Sequence, residues 1–126
     1  MNYRAKAITE GVHTPDQLLA GNPSLLVARS VTIAAGRNLV RGTVLGRIAS
    51  TGKYLMSVVG PVDGSAVPDL ILAEDCDANG GDRTAMAYSR GDFNANSLTL
   101  GTGHSVVSIT EQLRLKNIVL LPSTAA

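Results

Sequence analysis

A single cysteine, Cys76, excludes an intramolecular disulfide framework and a cysteine-rich zinc site, and it suits a chain folded in a reducing cytoplasm. Aromatic side chains are nearly missing: with no tryptophan, three tyrosines and one phenylalanine, little is left to stack on a sugar or a base. Charge is also scarce, at 17% of residues against about 25% in an average soluble domain. Ten acids face eleven bases, and the formal charge of +1 offers no basic field to nucleic acid. No apolar run approaches the about 18 residues of a membrane-spanning helix. Arg4 and Lys6 are not followed by an apolar stretch, so 1–10 does not have the form of a secretory signal. The 126 residues suffice for one domain of ordinary size. With so few charges, part of its surface is expected to be hidden against other protein.

What the chain does have is β-branched residues and glycine. Valine, isoleucine and threonine number 28 and glycine 13, which predicts short strands punctuated by turns. Residues 1–24 differ, because Gly11, Pro15, Gly21 and Pro23 interrupt every apolar run, and they are expected to form an extended arm before a single domain at 25–126. Within the arm, Thr14 can cap a short helical turn with Pro15 first and Gln17 closing a capping box, stopped by Gly21. Leu18 and Leu19 would then anchor that turn on a neighbour. From Leu26, the alternation predicts a strand with Val27, Val31 and Ile33 on one face. Leu39 to Ile48 reads as a second strand, turned by Ser50 to Lys53 into a hairpin with Tyr54 to Val59. Leu70 to Ala73 suits a buried strand, Thr84 to Arg90 alternates up to a turn at Gly91-Asp92, and Ile118 to Leu121 makes a last strand. One helix is expected near the end, from the spacing of Val106, Ile109 and Leu113. Ser108 and Glu111 are its candidate capping box, and Asn117 its left-handed stop.

The motifs that carry chemistry are incomplete. Asp75-Cys76-Asp77-Ala78-Asn79-Gly80 matches the first half of a calcium loop, but Arg83 and Met86 occupy the ninth and twelfth positions, where oxygen ligands belong. Gly52-Lys53 lacks the upstream glycine and the following Ser or Thr of a phosphate loop. Gly101-Thr102-Gly103 lacks the rest of a dinucleotide fingerprint and fits a tight turn into the helix. His104 beside Ser105 is not a dyad, because adjacency does not set a base against a hydroxyl. Glu74, Asp75 and Asp77 could pair for acid–base work, yet nothing indicates a cleft around them. No catalytic residue, cofactor, metal or small-molecule substrate is expected.

The order of Pro15-Asp16, Leu18-Leu19-Ala20-Gly21, Asn38-Leu39-Val40-Arg41-Gly42-Thr43-Val44-Leu45-Gly46, Gly52-Lys53-Tyr54, Asp63-Gly64-Ser65 and Ile71-Leu72-Ala73-Glu74-Asp75 resembles the tailed-phage head decoration proteins. Gly91-Asp92-Phe93-Asn94, Leu98, Leu113-Arg114 and Ile118 continue the likeness to about residue 121. It departs from the usual pattern at Cys76, in the acidic turn, and at Asn117, where glycine is common. The resemblance implies a mainly β (α+β) subunit of the lambda-type decoration fold, with one C-terminal helix and an extended N-terminal arm. It further implies a homotrimer on the outer surface of the expanded phage head, made in the host cytoplasm, with the major capsid protein as partner and no catalysis. In such a role the arm would add an extended segment to a sheet edge of the shell, as the alternation of Tyr3, Ala5, Ala7 and Thr9 against Arg4, Lys6 and Ile8 permits. Pro15, Leu18 and Leu19 complete the expected capsid-binding set. The competing reading is a trimeric adhesin or ligand-binding module that presents the loops at 63–68 and 75–82.

Overall fold

A β-rich sequence with few charges has to bury both faces of most strands, and the way it does so sets the architecture. The computed structural model describes residues 18–20 and 25–121. Among them eight strands are formed: β1 (Val27–Ile33), β2 (Asn38–Leu39), β3 (Val44–Arg47), β4 (Tyr54–Met56), β5 (Pro68–Leu72), β6 (Cys76–Asp77), β7 (Arg83–Asn94) and β8 (Ile118–Leu121). A single α-helix, α1 (Val106–Arg114), lies between β7 and β8. The fold is mainly β with its helix near the C-terminus, as expected.

The main sheet runs β1-β4-β3-β5-β7-β8. Because β1 pairs with β4 through Ile33 and Tyr54, and with β7 from Val27 to Ile33, the first five strands return on themselves as a small barrel. Closure is thin at that seam: β1 meets β4 only at Ile33, and the same edge of β1 before Ile33 has no strand partner among the described residues. β8 adds in parallel to the far end of β7, outside the ring. β2 and β6 form a separate two-stranded ribbon.

Strand alternation then divides the core in two. Val31, Ile33, Leu45, Leu70, Leu72, Ala85 and Ala87 fill the barrel. Val44 and Ile71 point the other way, into a second core with Phe93, Ile109, Leu113, Ile118 and Leu120. This is why β5 reads as an unbroken Leu-Ile-Leu: it is covered by the barrel on one face and by α1 on the other. Across the two, Asp69 accepts hydrogen bonds from the Tyr54 hydroxyl at 3.0 Å and from Lys116 Nζ at 2.7 Å, tying the barrel to the end of the helix. Burial first, and then the Asp69 carboxylate, push the Tyr54 hydroxyl pKa upward.

Four expectations are corrected. The run 39–48 is not one strand: Arg41-Gly42 breaks it, with Gly42 at φ +95°, and Val40 is left 48% exposed. The break is held by the Arg41 N–H on Asp75 Oδ1 (2.8 Å) and the Gly42 N–H on the Leu72 carbonyl (2.9 Å), so the chain crosses from ribbon to barrel there. Gly91-Asp92 is not a turn, because β7 continues through it. Val27 lies opposite Arg90 and Ala28 opposite Tyr88, which leaves Ser89 as an extra residue in a bulge, and Gly91 follows at φ +150°. Val27, beyond that bulge, is exposed and not part of the core face. The helix is capped by Ser105, whose hydroxyl accepts from the Ser108 N–H while Ser108 Oγ accepts from the Ser105 N–H. That reciprocal pair fills the box expected of Ser108 and Glu111; Glu111 instead bonds Arg114 along the helix surface. Asn117 does take the left-handed conformation, φ 69°, and Ile118 then joins Leu113 in the second core.

Candidate docking surface

The end of β7 beyond Gly91 is a strand with two neighbours. On one edge lies β8. On the other, Leu19 bridges Phe93 in antiparallel fashion, the Ala20 N–H donates to the Asp92 carbonyl (3.0 Å) and the Asn94 N–H donates to the Leu18 carbonyl (2.9 Å). The neighbour on which Leu18 and Leu19 anchor is therefore this chain's own β7. Leu18 is 1% exposed and packs in the second core with Phe93, Ile109 and Leu113, so its side chain presents no surface to a partner. Leu19 is partly buried against the same core. Tyr3, Ala5, Ala7, Thr9 and Pro15, together with the Thr14 cap and the Gly21 stop, lie outside the described residues. Sequence reasoning missed Phe93 as the receptor for the anchor. Its signal was present, since it is the sole phenylalanine and sits between Gly91 and Ala95, residues too small to compete for the space. Arg41 supports the receptor from behind: its Nη1 donates to the Ala73 carbonyl (2.7 Å) and the Tyr88 hydroxyl (3.0 Å), and Tyr88 tilts against Phe93 at 5.4 Å.

The loops offer structure in place of reactive groups. Asp75 Oδ1 is occupied by the Arg41 N–H, Asp77 Oδ1 by the Asn79 N–H (3.0 Å), and Glu74 Oε2 by the Met86 N–H (2.9 Å). Among the described residues no three His, Cys, Asp or Glu side chains converge as a metal cage. Cys76 is buried, and desolvation pushes its thiol pKa up, away from the reactive thiolate. His104 Nε2 lies 3.0 Å from Ser57 Oγ, not against Ser105, and Ser57 is fully buried. No substrate could reach that hydroxyl, so the pair fastens the 101–105 turn to the chain after β4.

In the loop at 61–67, Asp63 Oδ1 accepts from Ser65 Oγ (2.6 Å) and the Ser65 N–H (2.9 Å), which holds the Asp63 carboxyl below the usual carboxylate range. A lowered folded-state pKa contributes stability that is present above the ordinary carboxylate range and lost as pH falls through the lowered value. Following Asp63 by NMR against pH is expected to show that low titration, and Ser65→Ala to return it toward the ordinary value. An unchanged pKa in the variant would remove Ser65 as its cause.

The outer face of the barrel between β1 and β7 carries Ala28, Ser30, Thr32, Thr84 and Met86, without a charged side chain. An uncharged sheet face of this kind suits contact with other protein better than presentation of a ligand site. A search of the curated proteins finds no match. The family model of the bacteriophage lambda head decoration protein D matches residues 7–114, a span that includes the anchor, the whole barrel and α1. The chain therefore belongs to the family of phage head decoration proteins.

Proposed function

We propose that this protein cements the phage capsid: it binds as a homotrimer to the outer surface of the expanded head, through its N-terminal arm and the major capsid protein, and resists the outward pressure of packaged DNA. The observation that carries this reading, in a chain of the decoration family, is the clamp of Leu18–Ala20 on β7. A segment stitched into the core at that point passes any load on the preceding residues directly to the folded domain. Backbone pairing between 3–9 and a shell strand would supply affinity with little demand on side-chain identity. Three arms on one trimer act as a linked set, so modest single contacts sum to durable attachment. A low-charge subunit surface is what burial against two further copies and a shell would require. The protein performs no chemistry in this role.

The experiment is deletion of Met1 to Asp16, which spares Leu18. Thermal stability is expected to stay as in the full chain, while occupancy on expanded heads and the heads' resistance to heating both fall. Full occupancy by the shortened chain would remove the arm from the mechanism.

A further inference from the structure

Between β6 and β7 the chain turns through Ala78-Asn79-Gly80-Gly81, closed by the Gly81 N–H on the Ala78 carbonyl (3.2 Å). Asn79 and Gly80 are the two central residues of that turn, and both are exposed. The closing bond uses the N–H of the fourth residue, and the N–H of the third, Gly80, has no partner among the described residues. Nor has the Asn79 carboxamide, since only the main-chain N–H of Asn79 is engaged, on Asp77 Oδ1 (3.0 Å). Asn-Gly occurs once in the sequence. The other asparagines among the described residues precede Leu39, Ala95, Ser97 and Ile118, whose side chains crowd the amide that follows.

Asparagine is a chemically labile side chain, and here the group that can attack it stands next to it with no competing bond. The Gly80 nitrogen, on losing its proton to hydroxide, adds to Asn79 Cγ. The new N–Cγ bond closes a five-membered imide, the Cγ–Nδ2 bond breaks, and the amide nitrogen takes up a proton and leaves as ammonia. Water then opens the imide at either carbonyl, leaving aspartate, or isoaspartate in which the main chain runs through the former side chain. The sum is hydrolysis of an amide to an acid and ammonia. Closure needs Gly80 N and Asn79 Cγ in a near-attack geometry. The turn has room for that movement, because a Cβ on either Gly80 or Gly81 would meet nothing within 4 Å. An open depression of about 270 Å³, lined by Asp77, Gly80, Gly81, Asp82 and Arg83, admits the water.

We propose that Asn79-Gly80 is a site of spontaneous deamidation in the folded protein, a slow self-modification with a structural consequence. The new carboxylate is ionised at neutral pH and, as an eleventh acid against eleven bases, takes the formal charge from +1 to zero. The isoaspartyl form also adds a methylene to the main chain between two attachments of 35–37. On one side, the Ala78 carbonyl accepts from the Gly36 N–H (2.8 Å) and the Ala78 N–H donates to the Arg37 carbonyl (2.6 Å). On the other, Asp82 accepts from the Ala35 N–H (2.9 Å) and pairs with Lys53. Isoaspartate therefore loosens that segment, whereas aspartate changes charge alone.

The test is incubation of the purified full-length protein at mildly alkaline pH, folded and in urea, followed by isoelectric focusing and mass analysis of the 54–83 tryptic peptide. Gly80→Ala and Asn79→Asp are run beside it. The folded wild type is expected to gain an acidic form that focuses with Asn79→Asp, at a rate that rises with hydroxide and stays within a few-fold of the unfolded chain. Gly80→Ala keeps its fold, because the added carbon meets nothing, and should modify about tenfold more slowly or less, since its methyl hinders the near-attack geometry. The isoaspartyl fraction should melt below Asn79→Asp. Strong protection of the folded chain relative to the unfolded one, a charge change mapped outside 54–83, or equal rates for wild type and Gly80→Ala would each overturn the proposal. An isoaspartyl fraction as stable as Asn79→Asp would overturn its coupling to 35–37.

Discussion

Gly46→Ala is expected to destabilise the protein by about 3 kcal/mol or more, a drop in melting temperature of about 10 °C. Gly46 lies on β3 where the 61–67 loop crosses it, and a Cβ there would stand 1.9 Å from the Ser65 carbonyl oxygen and 2.6 Å from its carbon. Backbone cannot rotate aside as a side chain tip can. Either the loop lifts, exposing the fully buried Ser65, or β3 shifts and disturbs Leu45 and Val44, which serve the two cores on its opposite faces. The effect is steric alone, because Gly46 does not have a positive φ. Gly80→Ala is the control: it also lacks a positive φ, and nothing stands within 4 Å of its added carbon. It should change stability by no more than about 0.5 kcal/mol. Chemical denaturation of both variants checks the pair; a mild Gly46→Ala would mean that the loop does not rest on β3.

Leu18→Ala should cost about 3 kcal/mol, although residue 18 stands in a stretch whose sequence looks like a solvated arm. Its side chain is 1% exposed among Phe93, Val44, Ile109 and Leu113, and truncation leaves a hole beneath the helix that those side chains fill only in part. The same change loosens the bonds from Ala20 to Asp92 and from Asn94 to Leu18, so attachment to heads is expected to fall as well. Denaturation and head occupancy of the one variant measure both effects. A stability loss near zero would show that 18–20 is held by its backbone bonds alone.

The two predictions also mark where the sequence was legible. The β5 run, the left-handed stop at Asn117, the last strand and the alternation from Thr84 as far as Tyr88 are local signals, each set by the period of burial or by one residue's backbone preference, and the structure has them; the bulge at Ser89 ends the alternation short of Arg90. Barrel closure was not legible, because it depends on β1 meeting both β4 and β7, pairings distant in sequence that no local period encodes. Gly91-Asp92 carries the composition of a turn, yet the same glycine freedom serves a bulge in a continuing strand. Ser105 and Ser108 are equally good capping residues, and only the path of the chain out of Gly103 decides which one comes first. At the docking surface, Leu18 and Leu19 were visible as an anchor. Phe93 was marked only as the sole phenylalanine among small neighbours; that it receives them depends on β7 continuing past its bulge, which no local signal encodes.

The most direct measurement of the central claim is binding of the purified full-length protein, with its molar mass determined in solution, to expanded and unexpanded phage heads that lack it. The account predicts saturable attachment of trimers to the outer surface of expanded heads, weak or no attachment to unexpanded ones, and greater resistance of the decorated heads to heating. A monomer that leaves both kinds of head bare, or that coats them without strengthening them, would contradict it.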